Sequence, residues 1–216
     1  MRTAGRLATA LTLAALVLPA AARAQTDRLF KNSWFWGAKG GVMSYSTSTT
    51  TNGLAALGGA EWLITRTRFG LYLSGDQAFF NGTSAVSDFM GGTREVAIKN
   101  MFRFTLAGLA FPRAFGSTLR PYGGLGFALN TIRQAEPKGS FDSGADEAAA
   151  RDQIREAKDR ASVLAMVGVQ AQFWRVMPFA QATAMPSHVG FLLDKRATYF
   201  LEGGIRLNLG SAIEKP

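Results

Sequence analysis

Cysteine is absent from this chain of 216 residues, and histidine occurs once. The first absence excludes disulfide staples, thiolate metal sites and cysteine nucleophiles. The second leaves zinc chemistry of the usual His- and Cys-based kind without ligands. Charge is also scarce: Asp, Glu, Lys and Arg make up 18% of residues, against roughly 25% in an ordinary soluble domain. Low charge with 47% hydrophobic residues excludes general disorder, which needs the opposite balance. After the N-terminal region no apolar run reaches the ~20 residues that a membrane-spanning helix needs.

What is present begins with a targeting signal. Arg2 and Arg6 precede the apolar stretch Leu7–Leu18, and Ala22-Arg23-Ala24 has the small-x-small form of a cleavage site. Residues 1–24 therefore read as a signal peptide, with cleavage expected before Gln25 and residues 25–216 forming one domain. Cleavage removes three arginines and no acid. The formal charge of +9 and pI near 10.4 suggest nucleic acid, but the basic residues gather on no single helix or block. An exported chain with scattered bases is expected to have no nucleic-acid partner.

From Ser33 onward the hydrophobic period is two. Eight segments alternate: 33–45, 53–65, 68–80, 94–111, 119–133, 161–174, 177–186 and 197–210. The last is the clearest, with Tyr199, Leu201, Ile205, Leu207 and Leu209 on one face and Phe200, Glu202, Gly204, Arg206 and Asn208 on the other. In the fourth, Val96, Ile98, Phe102, Phe104 and Leu106 oppose Glu95, Lys99, Arg103 and Thr105. The connections hold 7, 2, 13, 7, 27, 2 and 10 residues in turn. Long connections alternate with short ones, as in an eight-stranded antiparallel up-and-down transmembrane barrel with long loops at one end and short turns at the other.

Alternation alone does not say which face is inside. The polar face carries Gly37, Gly41, Gly59, Gly70, Gly124, Gly126, Gly168 and Gly204. A narrow eight-stranded interior needs small residues, whereas a solvent face does not. All four tryptophans, Trp34, Trp36, Trp62 and Trp174, fall at the short-turn end, where a membrane-interface girdle is expected. The apolar face therefore points outward, into lipid.

These features resemble the small outer-membrane β-barrels, the OmpA/OmpX and OmpW-like group. The resemblance runs from about Trp34 to Gly210 and includes Pro121-Tyr122-Gly123-Gly124-Leu125-Gly126 and the closing strand Tyr199–Gly210. Many such barrels end on an aromatic residue read by the barrel-assembly machinery. This chain continues through Ser211 to Pro216, which moves the expected signal to Leu207-Asn208-Leu209. The resemblance implies outer-membrane lipid and the assembly machinery as partners, extracellular long loops, periplasmic termini and no second domain. It also implies one of two roles. The first is non-catalytic envelope structure or surface contact through a loop partner the sequence does not name. The alternative is OmpW-like passage of small apolar molecules, for which Phe35, Met43, Leu63, Met101, Leu164 and Met166 on the inner face are the only hint.

The remaining residues of chemical interest are few. Lys39, Glu61, Asp76, Glu95, Lys99, Arg103, Glu202 and Arg206 all fall on the polar face, four acids and four bases. Paired, they would plug the lumen. Counting up from the short-turn end puts Asp76 level with Arg103, and Glu202 near Lys39, with Glu61 and Arg206 as the next candidates. His188 stands beside Ser187, and some barrels of this size modify lipid A with Ser, His and an acid. Neighbours on an extended segment point opposite ways, however, so a catalytic role needs Ser187, His188 and Asp194 to be rearranged. Neither a catalytic residue nor a cofactor or metal site is expected. Residues 143–160 lose the period of two. Ser143 can cap a helix, with Glu147–Arg151 and Glu156–Arg160 as favourable pairs. With Ile154 as its one large apolar residue, this helix is expected to be solvated.

Overall fold

The computed structural model describes residues 30–87, 93–112, 118–141, 143–186, 191–193 and 196–212. The expected signal peptide, Ser187, His188 and Asp194 lie outside them. Eight strands form a closed antiparallel barrel, each paired with its neighbours in sequence and β8 with β1. They are β1 Ser33–Tyr45, β2 Gly53–Arg66, β3 Phe69–Ser87, β4 Thr93–Ala110, β5 Leu119–Pro137, β6 Asp159–Ala171, β7 Val176–Met185 and β8 Thr198–Ser211. One helix, α1 Gly144–Ala157, stands between β5 and β6.

Burial alternates along the strands, and the apolar side is outside. Leu125 is 73% exposed and Phe127 65%, while Arg206 is 0% and Arg103 2% exposed. Such an inverted distribution is stable only where lipid covers the outer face. Trp34, Trp36 and Trp62 stand on that face near the terminal end of the barrel, Trp36 directly opposite Trp62. Trp174 lies in the β6–β7 turn at the same end, with a left-handed backbone (φ 53°).

The glycines separate by side. A Cβ on inward-facing Gly41 would lie 2.1 Å from the Leu201 carbonyl oxygen, and one on Gly59 2.3 Å from that of Gly75. Outward-facing Gly108 would meet nothing within 4 Å. Strong curvature crowds the concave face and opens the convex one, so a small interior residue is a condition of closing so narrow a barrel.

Two strands run well beyond their sequence pattern. β3 continues to Ser87 and β5 to Pro137, and β4 reaches up with them, so the connection between β3 and β4 shrinks to 88–92. The extension depends on a bulge. Phe79 and Phe80 face the single residue Asn100, and pairing resumes at Asn81–Lys99. Asn100 adopts φ 57°, and its side-chain oxygen accepts from the Phe80 N–H at 3.2 Å. Asparagine tolerates this conformation better than most residues. The bulge reverses the phase of β4: below it Met101, Arg103 and Thr105 point inward, and above it Val96 and Ile98 do. Val96 and Ile98 therefore do not share a face with Phe102, Phe104 and Leu106.

The extended strands carry part of the buried apolar cluster upward. Val96, Ile98, Phe80 and Ile132 meet Ile154 of α1 and Leu192 and Leu193 of the β7–β8 connection. Ser143 caps α1, its Oγ accepting from the Asp146 N–H at 3.2 Å, and Glu147 pairs with Arg151 at 2.7 Å. The helix is not fully solvated, because Ala150 and Ile154 are buried against the barrel extension. Arg160 belongs to β6 and not to the helix, which removes it from the expected pairing with Glu156. The Leu192 N–H donates to the Ala157 carbonyl at 3.1 Å, and Ser84 Oγ donates to the Leu192 carbonyl at 2.8 Å. Leu192 thus ties the end of α1 to β3.

Candidate functional site: the ionic layer of the lumen

The lumen is filled in layers. At the terminal end Phe30, Phe35, Phe111 and Tyr122 pack ring against ring, with centroids 4.9 Å apart for Phe30–Phe111 and 5.6 Å for Phe111–Tyr122. Thr65 ties the entering chain down: its Oγ donates to the Phe30 carbonyl and accepts from the Ser33 N–H. Toward the mouth, Met43, Met101, Leu164, Met166 and Phe200 are buried. The charges lie between these two apolar layers.

Six of the eight expected lumen charges come together there. Lys39 Nζ is 2.8 Å from Glu202 and 2.9 Å from Asp76. Arg103 is 2.8 Å from Asp76 and 2.6 Å from Glu202. Two cations and two anions therefore form a ring in which each cation touches both anions. Arg206 pairs with Glu61 nearby. Three positive and three negative groups leave the layer neutral.

Uncharged residues link the two parts. Tyr72 Oη accepts from Lys39 at 2.9 Å and donates to Glu61 at 2.9 Å. Gln181 donates to Glu202 at 3.0 Å and to Tyr72 at 3.2 Å, and accepts from Tyr122 at 2.8 Å. Arg206 donates to Gln170 at 2.6 Å. The guanidinium of Arg103 lies 3.8 Å from the Phe200 ring centroid and that of Arg206 3.9 Å from Phe179. Charged groups buried this deeply are tolerated only with an opposite charge in contact, and each of the six has one.

Glycines make room for the pairs. Gly37 stands between Arg206 and Glu61 in the cross-strand register, and Gly59 between Lys39 and Asp76. A Cβ on Gly59 would lie 2.4 Å from Asp76 Oδ1. One on Gly37 would meet both Arg206 and Glu61 side chains within 3.2 Å. The repeated order of charge, glycine and opposite charge across neighbouring strands lets the ions meet over the gap.

Glu95 and Lys99 are not part of this layer, contrary to the sequence reading. The bulge at Asn100 turns both to the outer surface, where Glu95 forms an exposed pair with Lys138 at 3.4 Å. The sequence reading also missed Tyr72, Gln181 and Gln170. Tyr72 shares the alternating face of Asp76, so its inward position was readable, but an uncharged residue draws no notice in a search for charge pairs. Among the described residues, no group of three His, Asp or Glu side chains is placed to hold a metal.

No protein-family model matches the chain, and no curated protein matches it in sequence. Solved structures do. The chain is similar to Neisserial surface protein A, with a TM-score of 0.56 and 13% identity over 82% of this chain and 97% of that one. It is also similar to the N-terminal β-barrel domain of Pseudomonas aeruginosa OprF, with a TM-score of 0.50 and 15% identity over 83% of this chain and 98% of that one. The fold is that of the small eight-stranded outer-membrane β-barrels. Within that fold this chain carries a charge-neutral ionic layer across its lumen.

Proposed function

We propose that the chain is a non-catalytic, non-conducting integral protein of the Gram-negative outer membrane, acting in envelope structure and surface contact. The observation that carries this reading is the ring of Lys39, Asp76, Arg103 and Glu202, closed by short contacts and flanked by apolar layers. A solute crossing the lumen would have to separate buried ions from their only counter-charges. The long loops and α1 face the outside of the cell, the termini and the Trp girdle face the periplasm, and residues 1–24 are removed on export. The partners are outer-membrane lipid and the assembly machinery that inserts such barrels.

Planar-bilayer recording tests the reading. The protein is expected to insert without stepwise conductance, while unboiled samples migrate differently from boiled ones on a gel, as folded barrels do. Reproducible conductance steps from protein with the heat-modifiable mobility would overturn the sealed-lumen role.

A further inference from the structure

The two ends of the barrel differ in charge. At the loop end acids and bases are interspersed and paired, Glu95 with Lys138, Glu147 with Arg151 and Asp152 with Arg155. The exposed charges of the short-turn end are of one sign. Lys31 precedes β1, Arg66 and Arg68 flank Thr67 in the β2–β3 turn, and Arg175 stands in the β6–β7 turn; all four are exposed. Among the described residues of that end there is no Asp or Glu outside the lumen, and none of the four cations has an ion-pair partner among them. The sequence adjoining this end outside the described residues holds Asp27 and Glu214 against Arg28, Arg113 and Lys215, which leaves the sign unchanged.

Position identifies what these cations meet. The β6–β7 turn, β8, β1 and the β2–β3 turn follow one another around the closed ring, and the Arg175 carbonyl accepts from the Asn208 N–H of β8 at 2.8 Å. The same arc carries Trp34, Trp36, Trp62 and Trp174, all exposed. Trp34 faces Ile64 across the β1–β2 ladder, and Arg66 lies two residues beyond Ile64, about 7 Å along the strand at the usual rise. A headgroup layer is about 5–7 Å deep on each side of a bilayer. Indole rings at the acyl boundary therefore set the cations among the headgroups. Arg175 keeps to that boundary, its guanidinium 5.4 Å from the Trp174 ring centroid. Exposed cations with no protein counter-charge match a phosphodiester. They favour a headgroup that keeps its negative charge over one whose own ammonium cancels it.

We propose that Lys31, Arg66, Arg68 and Arg175 form a collar that selects anionic phospholipid, through its phosphodiester, in the leaflet at the short-turn end. The inference rests on the outer-membrane reading given above, in which that leaflet is the periplasmic one. It adds a lipid class and a contact surface to that reading.

The test uses the four tryptophans, the only ones in the chain, as local probes. The protein is folded into vesicles of dibrominated phosphatidylcholine, whose bromines quench nearby indoles, and unbrominated phosphatidylglycerol or phosphatidylethanolamine with matched chains is titrated in. Recovery of emission gives each lipid's relative binding. Phosphatidylglycerol is expected to bind about fivefold more tightly than phosphatidylethanolamine, the effect of about one cation at a charged headgroup. The ratio should fall in 1 M salt, where the Debye length is about 3 Å. It should approach one when Lys31→Gln, Arg66→Gln, Arg68→Gln and Arg175→Gln are combined, and stay unchanged in the loop-end control Arg151→Gln with Arg155→Gln. If the quadruple variant lacks the heat-modifiable mobility of the folded barrel, the pairs Arg66→Gln with Arg68→Gln and Lys31→Gln with Arg175→Gln are measured instead, each expected to lower the ratio. A preference that survives in the folded collar variants overturns the proposal, as does an equal fall in the control. Parity in the parent protein also overturns it; if a soluble muramyl peptide then binds and is lost in the same variants, the collar is a cell-wall surface. Quenching does not depend on which leaflet faces the cell exterior, whereas cysteine labelling on whole cells reads orientation, so failure of the lipid contact and failure of the topology are distinguishable.

Discussion

Removing Arg103 is the sharpest perturbation of the lumen. The side chain is 2% exposed, and it donates to Asp76 from Nε at 3.1 Å and from Nη2 at 2.8 Å, and to Glu202 at 2.6 Å. Arg103→Ala leaves Lys39 as the one cation facing both Asp76 and Glu202, so the ring carries an uncompensated negative charge between two apolar layers. Breaking a buried pair from one side costs about 3–5 kcal/mol. Adding Asp76→Ala restores neutrality, because Lys39 and Glu202 remain in contact. The double variant should therefore recover about 1–3 kcal/mol relative to the sum of the single effects. Urea unfolding in lipid vesicles, followed by tryptophan emission and by gel mobility, measures all four states. Glu95→Gln is the control: its pair with Lys138 is about half exposed, and such pairs contribute roughly 0–1 kcal/mol. Strict additivity of Arg103→Ala and Asp76→Ala would refute the coupled ring, and so would a loss no larger than that of the control.

Other outcomes follow from the same geometry. Gly59→Val should sharply reduce the folded, heat-shifted fraction, because its Cβ would collide with the Gly75 carbonyl and Asp76, whereas Gly108→Ala on the open outer face should leave it unchanged. Ile154→Asp puts a charge where the helix is buried, so trypsin should cut intact cells at Arg151 or Arg155 faster than in the parent protein. A cysteine at exposed Ala148 is expected to react with an impermeant thiol reagent on whole cells, and one at Thr67 in the β2–β3 turn is not; the reverse labelling would invert the topology.

The strands were legible because lipid on one side and a packed lumen on the other impose a strict period of two over most of each strand. The partners of Lys39 and Arg103 were legible by counting from the turn end, since neighbouring strands must share a level. What escaped was local. The bulge at Asn100 depends on one left-handed residue and one side-chain hydrogen bond to Phe80, and neither leaves a pattern in the sequence. Its effect reached Glu95 and Lys99, which follow the period correctly up to the bulge and are reversed beyond it. The burial of α1 escaped for another reason: one isoleucine and one alanine are enough to dock a short helix when a strand extension lies beneath it.

The ionic layer also bears on how the barrel closes. β1 and β8, the first and last strands, meet at a seam where Gly37 faces Arg206 and Gly41 faces Glu202. A slip of two residues keeps every side chain on its proper face, so hydrophobic patterning alone does not oppose it. Slipped one way, Arg206 would stand opposite Lys39 and Glu202 would enter the apolar layer beside Met43. Slipped the other way, Arg206 would reach Phe35 and the aromatic layer, leaving Glu61 without its cation. Either error strands a charge in a place with no counter-charge. The lumen thus checks the closing register: β8 carries one acid and one base at the spacing that only the native alignment neutralises.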